Sequence, residues 1–217
     1  GYLQRMQELG IDTRHVLTVG ESYTAQANIT TDADNNQITA FHPGAMNHAQ
    51  INKVPSGAGV TLGIVAPENR DGMIQHAAQF AAAGVPFIFD PGQQLPMFDG
   101  AELRGFVERA TWVAVNDYEG RMLCDRTGLT LEAMSRMDLK GVIVTLGADG
   151  CDLWIDGRCE RVSGVAAEQV VDPTGCGDAF RGALLYGLER GWSLQRCVEL
   201  GNRIGAVLKA DSQPVES

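Results

Sequence analysis

The residues with the strongest claim to chemistry lie late in the sequence, in Asp172-Pro173-Thr174-Gly175-Cys176-Gly177-Asp178. The last four of them join a loop to a stretch with apolar residues at Ala179, Phe180, Ala183, Leu184 and Leu188, the spacing of a helix with one buried face. Successive backbone N–H groups therefore point outward at a helix N-terminus, where the dipole adds partial positive charge and anions bind. Glycine on either side of Cys176 lets that backbone approach an anion closely and adopt turns closed to other residues, so Cys176 contributes through its N–H. Asp178 has two readings. It suits an N-cap, for which Asp is a preferred residue worth about 1 kcal/mol. It also suits a base that takes a proton from a hydroxyl while neighbouring amides hold the oxygens of a phosphoryl group.

Elements able to position such a site are legible upstream. Short apolar runs at 60–66, 85–90, 112–116 and 141–147 alternate with helical stretches around 70–83, 99–109 and 117–137. Continuous Val/Ile/Phe runs mark strands buried on both faces, so the chain is expected to be α/β, a mostly parallel sheet covered by helices. Ligands of open sheets of this kind sit beyond the carboxyl ends of the strands, and three of those ends carry Asp90, Asn116 and Thr145-Leu146-Gly147. Residues 151–157 and 158–164 read as a strand pair turning at Asp156-Gly157, and helices over 178–190 and 194–209 close the chain.

Ahead of the sheet, 16–19, 23–31 and 37–41 alternate in the strand period, with Asp34-Asn35-Asn36 as a turn, which predicts a hairpin solvated on one face. The stretch 42–59, with Pro43, Gly44, Pro55, Gly57 and Gly59, predicts a loop. Tyr2 to Leu9 predicts an amphipathic helix and opens as though already inside it.

Composition narrows the partners. With 217 residues and 44% hydrophobic content the chain can bury a substantial core as one domain. A net charge of -10 offers no cationic face for nucleic acid. No apolar run approaches the roughly 20 residues of a membrane span, and the start lacks the features of a signal peptide, so a cytoplasmic protein without membrane or nucleic-acid partners is expected. Cys124, Cys151, Cys159, Cys176 and Cys197 are scattered, which suits reduced thiols better than disulfides or zinc. No Gly-x-x-x-x-Gly-Lys-Ser/Thr loop or dinucleotide fingerprint is present.

DPTGCGDAFRGALLYGL resembles the C-terminal signature of the ribokinase-like (phosphofructokinase B-type) family of carbohydrate and nucleoside kinases, Asp-Thr-x-Gly-Ala-Gly-Asp, with Pro173 in place of Thr and Cys176 in place of Ala. Asn116-Asp117-Tyr118-Glu119 matches the family's Asn-x-x-Glu, and Thr145-Leu146-Gly147-Ala148-Asp149-Gly150 its Thr-Leu-Gly-x-x-Gly, in the family's order. The resemblance implies a ribokinase-like three-layer α/β/α fold with a mostly parallel central sheet and a small β-sheet lid, residues 1–217 forming one domain and 16–42 the lid hairpin region. It implies ATP and Mg2+ as cofactors, with K+ as a further candidate.

By the same resemblance Asp178 is the catalytic base and Gly175, Cys176 and Gly177 form the anion hole. Asn116, Thr145, Gly147, Gly150 and Asn202 bind ATP. Glu119 holds Mg2+ through water, and Asp172 lies beside a monovalent-cation site. The segment 38–46, with Phe89-Asp90-Pro91-Gly92, looks most like bacterial adenosine kinases, which implies conversion of adenosine to AMP with Phe41 and Met46 closing over the purine, and allows a homodimer through the lid. Alternatives are a kinase for ribose, fructose or 2-keto-3-deoxygluconate, or a catalytically silent nucleotide- or sugar-binding regulator. The family's N-terminal Gly-Gly and Asn-containing segment has no counterpart in 1–217, so its first strands and part of the lid are expected to lie outside this chain.

Overall fold

Apolar runs too hydrophobic for one-sided strands need cover on both faces, and the sheet that they build has it. The structure is a computed structural model that describes residues 1–31, 37–55, 59–166 and 175–211, without the side chains of 31, 37 and 207–211. The chain opens with α1 (Tyr2–Glu8) and an antiparallel pair, β1 (Gln26–Thr31) and β2 (Gln37–His42). It continues through β3 (Gly63–Val65), α2 (Arg70–Ala82), β4 (Phe87–Phe89), α3 (Gly100–Arg109) and β5 (Trp112–Asn116). Next come α4 (Asp117–Thr127), α5 (Leu131–Ser135), β6 (Gly141–Thr145), β7 (Gly150–Ile155), β8 (Arg158–Ser163), α6 (Cys176–Glu189) and α7 (Leu194–Asp211).

The six strands β3 to β8 lie side by side in chain order; β3 to β6 are parallel, while β7 and β8 run antiparallel at one edge. Side chains alternate along each strand. Phe87, Phe89, Val113, Val115, Val142 and Val144 enter one core with α2 to α5. Ile88, Trp112, Ala114 and Ile143 enter a second with α6 and α7. Right-handed crossovers explain this division, because parallel strands laid down in unbroken order put every crossover helix on the same face. The α6–α7 hairpin then covers the other. The expected α/β/α layering is what forms.

Local signals account for most boundaries. Asn116 and Glu119 cap α4 reciprocally: the Asn116 side chain accepts from the Glu119 N–H at 2.7 Å, and Glu119 Oε2 accepts from the Asn116 N–H at 2.8 Å. Asp156 and Gly157 both take positive φ, 50° and 77°, as a two-residue hairpin turn requires. Three expectations need correction. The helix over 117–137 is two helices, because Gly128 ends α4 in the left-handed conformation (φ 69°) and Thr130 caps α5. Residues 16–19 form no strand, since no neighbour among the described residues supplies a ladder, and among those residues the small sheet is β1 and β2. The segment read as a loop over 42–59 contains a 3-10 helix, Gly44–Ile51, held by bonds from other elements. The Ala45 N–H donates to the Tyr23 carbonyl at 2.7 Å, and Asn69 Nδ2 donates to the Asn47 carbonyl at 2.8 Å.

One clamp on this segment is ionisable. His76 on α2 faces the Asn52 carbonyl with Nε2 at 2.9 Å and the Glu68 carboxylate with Nδ1 at 2.5 Å. A carbonyl only accepts, so with a carboxylate at the other nitrogen both ring nitrogens donate and the ring is cationic. The bond to Glu68 raises the His76 pKa above 6.5, against burial and nearby Lys53. A raised folded-state pKa gives stability that is fully present below the unfolded value and lost as pH rises through the folded one. The stability gap between wild type and His76→Gln, followed by urea unfolding, is therefore expected to be largest at about pH 6 and to narrow as pH rises above 6.5 through the raised pKa.

Candidate active site

The carboxyl ends of adjacent strands deliver the first group of residues. Asn116 and Thr145 are register partners at the ends of β5 and β6, and Asp90 follows β4 directly. Beyond β6 the chain turns through Gly147 (φ 62°) into a 3-10 turn and re-enters as β7 at Gly150. The second group comes from the start of α6. Gly175 caps that helix in the left-handed conformation (φ 80°), which favours glycine, and Cys176 begins it. The first N–H groups of a helix have no partner within it, and those of Cys176, Gly177 and Asp178 have none among the described residues.

Asp178 is not the N-cap. It lies in the first turn, exposed, and its carboxylate makes no hydrogen bond among the described residues. The capping explanation for an Asp in this motif therefore does not apply.

A cleft of about 220 Å3 is lined by residues of both groups. Thr145, Gly147, Gly150, Cys176, Gly177 and Asn202 all line it, so six residues from three distant stretches of sequence share one wall. The Cys176 thiol donates to the Gly205 carbonyl on α7 at 3.5 Å. Asn202 Nδ2 donates to the Ser163 carbonyl at 3.1 Å, which ties α7 to the end of β8. Gly150 and Gly164 are packed backbone against backbone beneath the cleft: a Cβ on Gly150 would lie 2.2 Å from the Val162 carbonyl oxygen.

Not every expected residue joins this wall. Asn116, Glu119, Gly175 and Asp178 do not line the cleft, and the Asn116 side-chain oxygen is engaged in the α4 cap. Phe41 stands half exposed on β2, and Met46 is half buried in the 3-10 helix. Asp172 lies outside the described residues.

Arg181 carries no chemical expectation from its sequence position, yet it organises the electrostatics. Its guanidinium grips the Asp90 carboxylate at two points, Nε to Oδ2 and Nη2 to Oδ1, the latter at 2.9 Å. Burial raises the Asp90 pKa above the usual carboxylate value against the opposing pull of the Arg181 guanidinium, while the two-point contact favours the ionised form. Glu119, 9% exposed, is raised first by burial and further by the charge of Asp90. Asp90, Glu119 and Asp178 all act on Arg181, three negative groups against one positive, a balance of -2. The only local hint of this in sequence is a cation one turn after Asp178 in an otherwise apolar stretch.

That excess suits a divalent cation. Mg2+ keeps several waters and is held by one or two carboxylates together with phosphate oxygens, and Glu119, with one carboxylate oxygen committed to the cap, fits such a light hold. No group of three metal-ligating side chains occurs among the described residues. Among those residues no helix is long and apolar enough to cross a membrane.

Known proteins match this arrangement. A sequence profile described as pfkB family carbohydrate kinase matches residues 1–214. The nucleoside kinase of Burkholderia thailandensis, solved in complex with inosine, is 47% identical, with a TM-score of 0.93 over 98% of this chain and 71% of that one. The same protein solved with ADP-inosine gives a TM-score of 0.91, covering 98% of this chain and 66% of that one. A nucleoside kinase of Methanothermobacter thermautotrophicus is 26% identical over 212 residues, which is 97% of this chain and 68% of that protein. The chain thus spans about two thirds of the length of these relatives. Its layered fold, its three motifs in order and the profile match over nearly its whole length make this chain a member of the pfkB family of carbohydrate kinases.

Proposed function

We propose that this chain carries the catalytic part of a purine nucleoside kinase, which moves the γ-phosphoryl group of ATP to a ribose hydroxymethyl group, with adenosine converted to AMP as its reaction. The observation that carries the reading is the juxtaposition at the start of α6, where an exposed Asp178 carboxylate, without a hydrogen bond among the described residues, directly follows Cys176 and Gly177, which line a glycine-rich cleft. Nucleotide phosphates lie along Thr145, Gly147 and Gly150, and the terminal one reaches the amides of Gly175 to Gly177. The acceptor oxygen forms its bond to phosphorus as the bond from phosphorus to the bridging oxygen breaks. ADP leaves with that electron pair, and Asp178 takes the hydroxyl proton. Glu119 would hold Mg2+ through water, an ion that would neutralise phosphate charge when bound. Asp172 is assigned to a monovalent cation on motif alone.

A nucleoside acceptor is favoured because a relative 47% identical was solved with inosine. Phe41 and Met46 supply apolar surface from the segment ahead of the sheet, which would close over a purine face. The test is ADP release by the full-length protein with adenosine, inosine, ribose, fructose and 2-keto-3-deoxygluconate. Purine nucleosides are expected to exceed the sugars in kcat/KM by at least about 100-fold, because polar groups placed for a base are left unpaired by a bare sugar. Equal or better turnover of a sugar would reject the nucleoside assignment. ATP binding without turnover on any acceptor would favour the silent regulator.

A further inference from the structure

We propose that Arg181 is a substrate-facing cation of this site, meeting the transferred phosphoryl group with the one amino group that its grip on Asp90 leaves free. The inference rests on the phosphotransfer reading above and assigns that reading one more residue. Long side chains on a helix lean back toward its N-terminus, and Arg181, one turn into α6, does so. Nε and Nη2 are both taken by Asp90, which is only 2% exposed at the end of β4. Nη1 remains. It lies over Gly177, 2.7 Å from where a Cβ on that residue would stand, and it donates to no group among the described residues. One edge of a rigid planar fork is therefore fixed to the sheet while the other lies over Gly177 in the first turn of α6.

Neutralising Asp90 does not require that arrangement. A buried ion pair can usually be replaced by apolar residues of similar volume, and a point charge such as lysine would satisfy a carboxylate. What the two-point contact adds is direction, because holding one edge of the guanidinium fixes where the other edge points. A donor held in that way beside the anion-binding amides needs no reorganisation as charge develops on the phosphoryl oxygens, which is the condition under which electrostatic stabilisation is most effective. Gly177 gains a second reason to be glycine, since a side chain there would collide with the guanidinium.

The test uses the full-length protein, Arg181→Met and the neutral double variant Asp90→Asn/Arg181→Met, the latter in case a lone buried Asp90 prevents folding. Two quantities are measured: kcat with Mg·ATP and the best nucleoside, and the affinity for ADP alone against ADP with Mg2+ and aluminium fluoride, a stand-in for the phosphoryl group in transfer. In both variants kcat is expected to fall about 100-fold or more, the usual loss for one preorganised donor. ADP affinity is expected to stay within about threefold while the tightening caused by aluminium fluoride disappears, because the contact is made to the group in flight. Wild-type kcat and wild-type fluoride tightening in the double variant would overturn the proposal, since a purely structural Arg181 predicts both. Asp178→Asn, run alongside, separates the two readings. Full turnover there rejects the phosphotransfer assignment itself, whereas an inactive Asp178→Asn with fully active Arg181 variants rejects only the role of Arg181.

Discussion

Asp178→Asn is expected to reduce kcat by about 100- to 10,000-fold, the range that a positioned general base contributes, with little change in the KM for ATP. The structure makes this a clean experiment, because the Asp178 carboxylate is exposed and holds nothing among the described residues. Among the described residues its structural contribution comes from the attraction between a first-turn acid and the helix dipole, about 0.3 to 1 kcal/mol, and from the nearby Arg181 charge. A steady-state assay paired with thermal unfolding therefore separates the roles. A cap or a purely structural acid predicts lost stability with retained turnover; a base predicts the opposite. An Asn variant that turns over within about threefold of wild type would remove Asp178 from the reaction, since no general base contributes so little.

How far sequence alone could reach depended on whether the signal was local. The sheet was legible because β4, β5 and β6 are continuous apolar runs, and a strand buried on both faces has no other composition. The Asp156-Gly157 turn was legible because a two-residue hairpin demands positive φ at both positions. The motif residues Thr145, Gly147, Gly150, Cys176, Gly177 and Asn202 were each visible, and the structure gathers them at one cleft. The break at Gly128 was also present locally, as a glycine followed by a capping threonine, and the helical spacing on either side hid it.

Features made by distant partners had no local trace. Residues 16–19 have a strand-like pattern but no neighbouring ladder among the described residues. The 3-10 helix at Gly44–Ile51 depends on polar contacts from Tyr23 and Asn69 rather than on a period of its own. Arg181 and Asp90 are 91 residues apart, so their pairing, and with it the charge balance of the site, becomes visible only when β4 and α6 are packed together. The Asn116-Asp117-Tyr118-Glu119 motif is the intermediate case. Its spacing is that of a capping box as well as that of the family's metal-organising pair, and the structure uses it as the former while leaving Glu119 facing the cluster of charges.

Two glycines of a single motif are expected to respond very differently to alanine, and the difference decides what each glycine is for. Gly147 has φ 62° and nothing within 4 Å of where a Cβ would stand, so Gly147→Ala meets only the left-handed backbone penalty, roughly 1 to 2 kcal/mol. Gly150 has φ 96° and ψ -122°, and a Cβ there would lie 2.2 Å from the Val162 oxygen and 2.3 Å from the Gly164 nitrogen. Those are backbone atoms, which cannot rotate aside as a side chain would. Relief requires the start of the β7–β8 ladder to part, including the register pair Gly150 and Ser163, and with it the floor of the cleft. Strained backbone and lost ladder bonds together place the cost of Gly150→Ala at about 3 kcal/mol or more. Urea unfolding of the two variants is expected to separate them by at least about 1 kcal/mol, with nucleotide affinity falling alongside stability at Gly150. At Gly147 a fall in ATP affinity beyond the small stability loss is the expected mark of a backbone in contact with phosphate. Equal destabilisation by both substitutions would mean that the β7–β8 crossing yields readily, and that the cleft is shaped by something other than close approach of the two chains.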